Sequence, residues 1–330
     1  MTMLNRQVAS YILAEALLIG PPDVARSRAR NDNTRPHPCD LRIPVLAQTI
    51  SVSDLHTLVQ SNGAIVCDCR YSLTDADAGR TAFNAQRIPG AQYVDLEQEL
   101  SGPITSSSGR HPLPDFSAWV KTAARLGLLG DKLVVAYDHG PGVFAARLWW
   151  MLAWAGQDHV ALLDGGFSEW RKQNLPLQSG DDSPPLVPTK NSAEDREELS
   201  TLKSDAGEIL RSLGQQSLLV IDAREPQRFS GETEPLDKKA GHIPGSVNRY
   251  FALNLQDGRF RDRADIRREF EALLKGRDPL QVIHSCGSGV TACHNLFAME
   301  FAGISGSRLY PGSWSEWIAD PARPIETLSE

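Results

Sequence analysis

The 330-residue sequence contains few cysteines and no paired Cys-x-x-Cys motif. Its five cysteines are an odd number without regular spacing, so the sequence indicates no disulfide framework. Without Cys-x-x-Cys pairs, the common structural zinc sites are excluded. We therefore expect a reduced, cytoplasmic protein that uses neither a metal nor another cofactor.

An excess of basic residues and a long apolar run are also lacking. Acidic residues outnumber basic ones by 41 to 34, which gives a net charge of −7. Such a chain has no general attraction for nucleic acid or for an anionic membrane, so neither is expected as a partner. The apolar run from Val8 to Gly20 is interrupted by Glu15 and is too short to span a bilayer. A local cluster of arginines is still sufficient to bind an anionic small molecule.

The length predicts two domains, preceded by a segment of different composition. Residues 21–38 are rich in Arg, Asn and Pro, and we expect residues 1–45 to form a mobile N-terminal extension. The arginines are typical of a mitochondrial targeting peptide, whereas Glu15, Asp23 and Asp32 count against one. A misassigned start codon is the other explanation.

One long internal repeat organises the rest of the sequence. The paired motifs are Asp68-x-Arg70 with Asp222-x-Arg224, Ile88-Pro-Gly90 with Ile243-Pro-Gly245, and Gly142-Val143 with Gly289-Val290. The offset between the halves falls from 155 at the Pro-Gly turns to 147 at the glycine loops. The first half therefore contains eight extra residues, which we place in the Gly/Ser-rich stretch 101–114.

Both halves alternate short apolar runs with helical stretches, a pattern that predicts an α/β fold with mainly parallel sheets flanked by helices. We place the first domain at residues 46–175 and the second at 199–322. The intervening residues 176–198 are rich in Pro, Ser, Asp and Lys, which is typical of a linker.

The two halves differ at the loop that follows one predicted strand of each. In the second half this loop begins at Cys286 and contains two glycines, so its backbone N–H groups can turn inward at the start of a helix. Such a loop stabilises a thiolate, which is the nucleophilic form of cysteine. The first half has His139 at the aligned position. We therefore expect one catalytic half and one inactive half that builds a wall of the site.

These motifs resemble the tandem rhodanese family over residues 48–320. Within that family the loop Cys286-Gly-Ser-Gly-Val-Thr-Ala292 is similar to that of the 3-mercaptopyruvate sulfurtransferases. Thiosulfate sulfurtransferases typically carry a cation inside the loop, where this sequence has Gly287 and Ser288. The resemblance implies that a small-molecule sulfur donor gives its sulfur to Cys286 and releases pyruvate. Cys286 would carry the sulfur as a persulfide and pass it to cyanide or to a thiol acceptor such as thioredoxin.

The resemblance also implies roles for further residues. Ser288, His111 and an acid would relay a proton to the departing pyruvate enolate; the acid corresponds to Glu97, with Asp95 as the alternative. Arg228 would bind the substrate carboxylate. The family often has a second arginine nine residues later, but this sequence has Asp237 there, and Lys238 or Lys239 is the replacement we consider. The amides of the loop complete the predicted substrate-binding set, which is Gly287, Gly289, Val290 and Thr291.

Three other functions remain as alternatives. The first is transfer of sulfur from thiosulfate to cyanide. The second is a phosphatase of the Cys-x5-Arg type, which is disfavoured because Ala292 stands where its arginine is needed. The third is a non-catalytic sulfur-binding or regulatory module, against which the intact Cys286 loop argues.

Overall fold

The computed structural model describes residues 47–180, 188, 196–215 and 217–328. The predicted extension at residues 1–45 and most of the predicted linker lie outside these ranges. The described residues belong to one compact unit, Val45–Glu330. None of their helices combines the length and the apolar character that crossing a membrane would require.

The first half is a five-stranded parallel sheet with helices in the connections. In chain order the elements are β1 (Gln48–Ile50), α1 (Val52–Gln60), β2 (Ala64–Asp68), α2 (Ala78–Ala85), β3 (Gln92–Tyr93), α3 (Phe116–Arg125), β4 (Leu133–Tyr137), α4 (Val143–Trp154), β5 (Val160–Leu163) and α5 (Gly166–Lys172). The strands lie in the order β1-β5-β4-β2-β3.

The second half repeats this arrangement in a four-stranded parallel sheet. The elements of this half are α6 (Ala206–Ser212), β6 (Leu219–Asp222), α7 (Pro226–Ser230), β7 (Val247–Asn248), β8 (Leu255–Gln256), β9 (Arg259–Phe260), α8 (Arg263–Leu274), β10 (Val282–Ser285), α9 (Thr291–Phe301), β11 (Arg308–Leu309) and α10 (Ser313–Trp317), with single 3-10 turns at Ser200–Leu202, Phe251–Asn254 and Pro279–Gln281. The sheet has the order β11-β10-β6-β7, and β8 pairs with β9 in a separate antiparallel ribbon.

The predicted α/β fold and its duplication are confirmed by these two sheets. The central strands β4 and β10 are buried and rich in β-branched residues, as expected for parallel strands that helices cover on both faces. The connection from β3 to α3, residues 94–115, exceeds its counterpart from β7 to α8, residues 249–262, by the eight residues that the repeat offsets predict.

Helices α4 and α9 join the two halves. Each follows the loop after the central strand of its sheet, and every residue of α4 except Phe144 is buried. The indole of Trp149 on α4 meets the ring of Phe297 on α9 edge to face, with centroids 5.0 Å apart. One apolar core therefore runs through both halves and holds their two loops at a fixed separation.

Candidate active site

The loop that begins at Cys286 leaves β10 and enters α9. The side chain of Cys286 is only 2% exposed, and its sulfur accepts a 3.1 Å hydrogen bond from the N–H of Gly289. The Cys286 N–H donates to the hydroxyl of Ser313, and the Cys286 carbonyl accepts from the N–H of Trp314. Helix α10 thus fixes the backbone of Cys286, and the loop amide of Gly289 is aimed at the sulfur.

The structure explains why the loop needs glycine at position 289 and how the residues around it are held. Gly289 has a φ of +77°, and a Cβ placed there would lie 2.2 Å from the carbonyl oxygen of Pro311, so only glycine fits. The Gly287 carbonyl accepts from the N–H of Ser315. Val290 directly precedes α9 and Thr291 is the first residue of that helix. The loop is therefore a tight strand-to-helix connection.

Ser288 and His111 meet across the two halves. The Ser288 hydroxyl oxygen and His111 Nδ1 are 2.8 Å apart, and both side chains are 5% exposed. Burial, together with the nearby charges of Arg110 and Arg147, lowers the pKa of His111 to about 3. The imidazole is therefore neutral at ordinary pH and can exchange hydrogen bonds with the hydroxyl.

Arg147 on α4 is buried beneath this contact. Its guanidinium donates to the carbonyl of Gly289 in the loop at 3.2 Å and to the carbonyls of His111 and Leu100 at 3.3 and 3.2 Å. No carboxylate pairs with it among the described residues. One arginine thus ties the cysteine loop to the segment that carries His111.

Glu97 does not join this contact through a hydrogen bond in the structure. Its side chain is exposed, and its Oε1 accepts a 2.5 Å hydrogen bond from the hydroxyl of Tyr71. The Tyr71 ring in turn meets the His111 ring edge to face. Asp95, the alternative acid, accepts from the N–H of Glu97 and caps the local turn. The assignment of the relay acid to Glu97 stays a prediction.

Arg228 on α7 lies beside the loop but already has acidic partners. Its Nε and Nη2 donate to the carboxylate of Glu234, and Nη2 also reaches Asp237 at 3.2 Å. Lys238 and Lys239, the predicted replacements for a second arginine, are exposed. Arg228 is 13% exposed at its side chain, so part of the guanidinium remains accessible.

A cavity of about 490 Å³ opens between the halves. Its wall includes Arg228 and Thr291 from the second half, and Tyr71, His139 and Phe144 from the first. Most of the wall is apolar, as is usual for a small-molecule site with a few orienting polar groups. Both halves thus contribute to this cavity, whose lining does not include Cys286, Ser288 or His111.

In the equivalent loop of the first half, the backbone amides are bound by the side chain of Asp138. Asp138, 2% exposed, accepts hydrogen bonds from the N–H groups of Gly140, Gly142 and Phe144 at 2.9–3.0 Å. Gly142 is the repeat partner of Gly289, so the same amide that faces a sulfur in one half faces a carboxylate in the other. His139 itself is exposed. The loop amides of the first half are therefore not open to a ligand.

The rhodanese-like domain model matches residues 51–173 and 205–320. The chain belongs to the rhodanese family. A relative from Pseudomonas aeruginosa, "Probable 3-mercaptopyruvate sulfurtransferase", is 44% identical over 284 residues, covering 85% of this chain and 98% of the relative. A relative from Mycobacterium tuberculosis, "Putative thiosulfate sulfurtransferase SseB", is 35% identical over 290 residues, covering 84% and 95%. The solved 3-mercaptopyruvate sulfurtransferase from Leishmania major superposes with a TM-score of 0.74 at 28% identity, covering 88% of this chain and 77% of that one.

Sequence reasoning missed two arginines of this rhodanese site. Arg110 precedes His111 directly, and its place in the same motif was a usable signal. Arg147 is the only charged residue in the apolar helix α4. A lone charge in an otherwise apolar helix is costly to bury, and that cost is the signal for a specific role.

Proposed function

We propose that this chain is a sulfurtransferase that takes sulfur from 3-mercaptopyruvate onto Cys286 and releases pyruvate. The observation that carries the proposal is the hydrogen bond between Ser288 in the cysteine loop and His111 from the other half. A hydroxyl in that position can give a proton to the carbanion that leaves when such a sulfur donor has lost its sulfur. The name of the Pseudomonas relative supports the same donor.

The first half-reaction balances without any cofactor. The Cys286 thiolate attacks the sulfur of the donor, the carbon–sulfur bond breaks, and its electron pair stays on carbon as the pyruvate enolate. The hydrogen of the transferred S–H then moves to that carbon, which leaves an anionic persulfide on Cys286 and free pyruvate. The Ser288 hydroxyl accepts this proton from sulfur while it donates its own to the enolate, and neutral His111 orients it.

Groups around the loop stabilise the anions of this step. The N–H of Gly289 faces the sulfur, and the start of α9 at Thr291 places the positive end of a helix dipole there. Arg228 binds the donor's carboxylate through the part of its guanidinium that Glu234 leaves accessible. Glu97 has no hydrogen bond to His111; it binds the Tyr71 hydroxyl, and the Tyr71 ring packs on the imidazole, so Ser288 and His111 move the proton without it.

The persulfide then passes its outer sulfur to an acceptor. Cyanide takes it as thiocyanate and regenerates the thiolate. A dithiol such as thioredoxin takes it by forming its own disulfide and releasing hydrogen sulfide, which restores Cys286 in the thiolate form. A reducing cytoplasm would supply such thiols, and it suits the four described cysteines, which are all free.

Thiosulfate is the second candidate donor, favoured by two guanidinium groups, those of Arg110 and Arg228, beside Gly287. These cations lie outside the loop, and they can bind an anionic donor although the loop itself contains no basic residue. Transfer from thiosulfate to cyanide would release sulfite rather than pyruvate, so it would not need the Ser288 hydroxyl.

The test is a comparison of initial rates with 3-mercaptopyruvate and with thiosulfate, using cyanide as acceptor. We expect kcat/KM to favour 3-mercaptopyruvate, to vanish in Cys286→Ser, and to persist in Cys293→Ser. Cys293 is the matched control because its buried thiol donates to the Gly289 carbonyl and burial raises its pKa to about 12. A preference for thiosulfate would overturn the donor assignment, and the absence of turnover with either would leave a binding or regulatory role.

A further inference from the structure

A second cavity lies within the first half, between the end of α2 and helix α5. Its volume is about 540 Å³, and its wall combines apolar with basic side chains, namely Ala82, Ala85 and Phe167 with Arg70, Arg171 and Lys172. No Asp or Glu side chain lines it among the described residues. Only His139 also borders the cavity between the halves. The first half therefore contains a basic cavity beside its inactive loop, apart from Cys286.

Arg70 is buried at this cavity but keeps one unused donor. Its Nε and Nη2 bind the carboxylate of Asp68, and Nη2 also donates to the carbonyl of Gln86. The guanidinium lies 4.2 Å from the centre of the Phe167 ring, which fixes its plane. Arg70 is only 2% exposed, and its Nη1 has no hydrogen-bond partner among the described residues. Because buried polar groups are normally bonded, this N–H group is available to a ligand in the cavity.

The counterpart of Arg70 in the second half has no such free donor. This residue is Arg224, which binds Asp222 in the same way but also donates from Nη1 to Glu234 at 3.3 Å. The Glu234 side chain is 3% exposed, so the acid is an internal partner of the arginine. The first half places no acid at the equivalent Nη1, which leaves that position for an external anion.

Two more cations come from the last turn of α5. Arg171 is exposed, and its guanidinium has neither a hydrogen bond nor an ion pair with any described residue. Lys172 lies 3.7 Å from Glu169, but Arg259 holds that carboxylate more closely, at 2.5 Å. Glu169 therefore compensates Arg259, which leaves the charges of Arg171 and Lys172 unbalanced at the cavity.

These two charges are specific to the first half. At the repeat offset of 147, Arg171 and Lys172 correspond to Ile318 and Ala319. The second half folds in the same way without a cation at either position, so the fold does not require them. Their place on the wall of a cavity indicates a role in binding.

We propose that this cavity binds a phosphate monoester whose dianionic group contacts Arg70, Arg171 and Lys172. Two unbalanced positive charges match a dianion, and guanidinium N–H groups and a lysine ammonium are the usual partners of phosphate oxygens. A volume of about 540 Å³ is typical of a small-molecule site and exceeds the needs of a bare ion. The apolar part of the wall then packs against the organic part of the ester.

The test is isothermal titration calorimetry of the full chain with phenyl phosphate and with inorganic phosphate, at constant ionic strength. We expect one phenyl phosphate to bind per chain, more tightly than inorganic phosphate because of the apolar wall. The double variant Arg171→Ile, Lys172→Ala carries the residues of the second half and should raise the Kd at least about 10-fold, because charge-assisted hydrogen bonds are lost. Ala85→Glu, at an exposed position of the wall, adds a negative charge and should abolish binding.

A second double variant is the charge-matched control. Lys121→Ala with Arg125→Ala removes two exposed cations from α3, and neither residue lines the cavity, so the Kd should equal that of wild type. Thermal unfolding of each variant identifies a loss of fold. The measurement needs no turnover of a sulfur donor, so its outcome is independent of the proposed function.

The competing explanation is that phosphate binds beside Cys286, where Arg110 and Arg228 are also basic. Such binding would persist in the Arg171→Ile, Lys172→Ala variant and would be displaced by pyruvate, and this result would overturn the proposal. So would the absence of saturable binding of both compounds to the wild type. Inorganic phosphate that bound as tightly as phenyl phosphate would overturn the assignment of an ester.

Discussion

Asp138 and Cys286 receive hydrogen bonds from equivalent amides of the two halves. The N–H of Gly142 donates to the Asp138 carboxylate at 2.9 Å, and the N–H of Gly289 donates to the Cys286 sulfur at 3.1 Å. The amide that faces a sulfur in one half thus faces a carboxylate in the other. The inactive loop keeps its shape because it supplies its own anion.

This relationship predicts that restoring the cysteine does not restore sulfur transfer in the first half. In a Cys286→Ser background, His139→Cys should carry no cyanide-releasable sulfur after incubation with the donor, because Asp138 already binds the three loop amides. The measurement is thiocyanate released per chain, with Cys286→Ser alone as control. Release approaching one equivalent would show that the amides of the first loop are open to a persulfide.

Arg147 is predicted to position His111 rather than to touch the donor. Arg147→Met should lower kcat about 10- to 100-fold, since it frees the Gly289 and His111 carbonyls and lets two reacting groups drift apart. It should also reduce the free energy of unfolding by about 1–3 kcal/mol, because buried carbonyls lose their donors. The measurements are steady-state kinetics and urea unfolding.

Arg249→Met provides the matched control for that variant. Arg249 is also buried, but it bonds Asn254 and Glu269 and has no contact with the cysteine loop. This variant should lose stability while kcat stays near that of wild type. If the two variants lost kcat equally, Arg147 would be acting only through general stability.

Three buried histidines predict that stability falls as the pH is lowered. Burial lowers the pKa of His111 and His284 to about 3 and that of His294 to about 4, while an unfolded histidine titrates near 6.5. Between pH 6.5 and 5 the unfolded chain therefore binds protons that the native protein does not. Each histidine then reduces the free energy of unfolding by up to about 1.4 kcal/mol per pH unit.

Urea unfolding at pH 7, 6 and 5 measures how the free energy of unfolding changes with pH. His111→Gln should reduce this slope by the contribution of one histidine. Burial raises the pKa values of Asp138, Glu300 and Glu316, which act in the opposite direction; wild type and His111→Gln share these carboxyls, so the difference between their slopes belongs to His111. A free energy of unfolding that did not change from pH 7 to 5 would contradict the prediction.

The sequence was sufficient for the features that local motifs encode. The duplication, the glycine loop at Cys286 and the longer connection at residues 94–115 follow from motif spacing, and the structure agrees with each. The encounter of Ser288 with His111 was expected only through the family resemblance, because the two residues lie 177 positions apart. Their contact depends on how the halves dock.

Other features of the site were beyond sequence reasoning because they are set by side-chain packing. The ion pair between Arg110 and Asp237 spans 127 positions, and no periodicity relates the two. Glu97 was matched to a relay acid by its place in a motif, but its carboxylate binds Tyr71, a residue 26 positions away on another segment. Side-chain direction at a turn is decided by neighbours that a linear motif does not contain.

His111 lies on the connection between β3 and α3, in the half without the cysteine. This position affects how the donor preference of the protein can change. After a duplication, one copy can keep its loop intact while the other accumulates change. Under the proposed function, substitutions in residues 94–115 would alter which donor is accepted without altering the loop that carries Cys286. Selection can therefore act on donor preference and on persulfide chemistry separately, because the two traits are encoded in different copies of one ancestral unit.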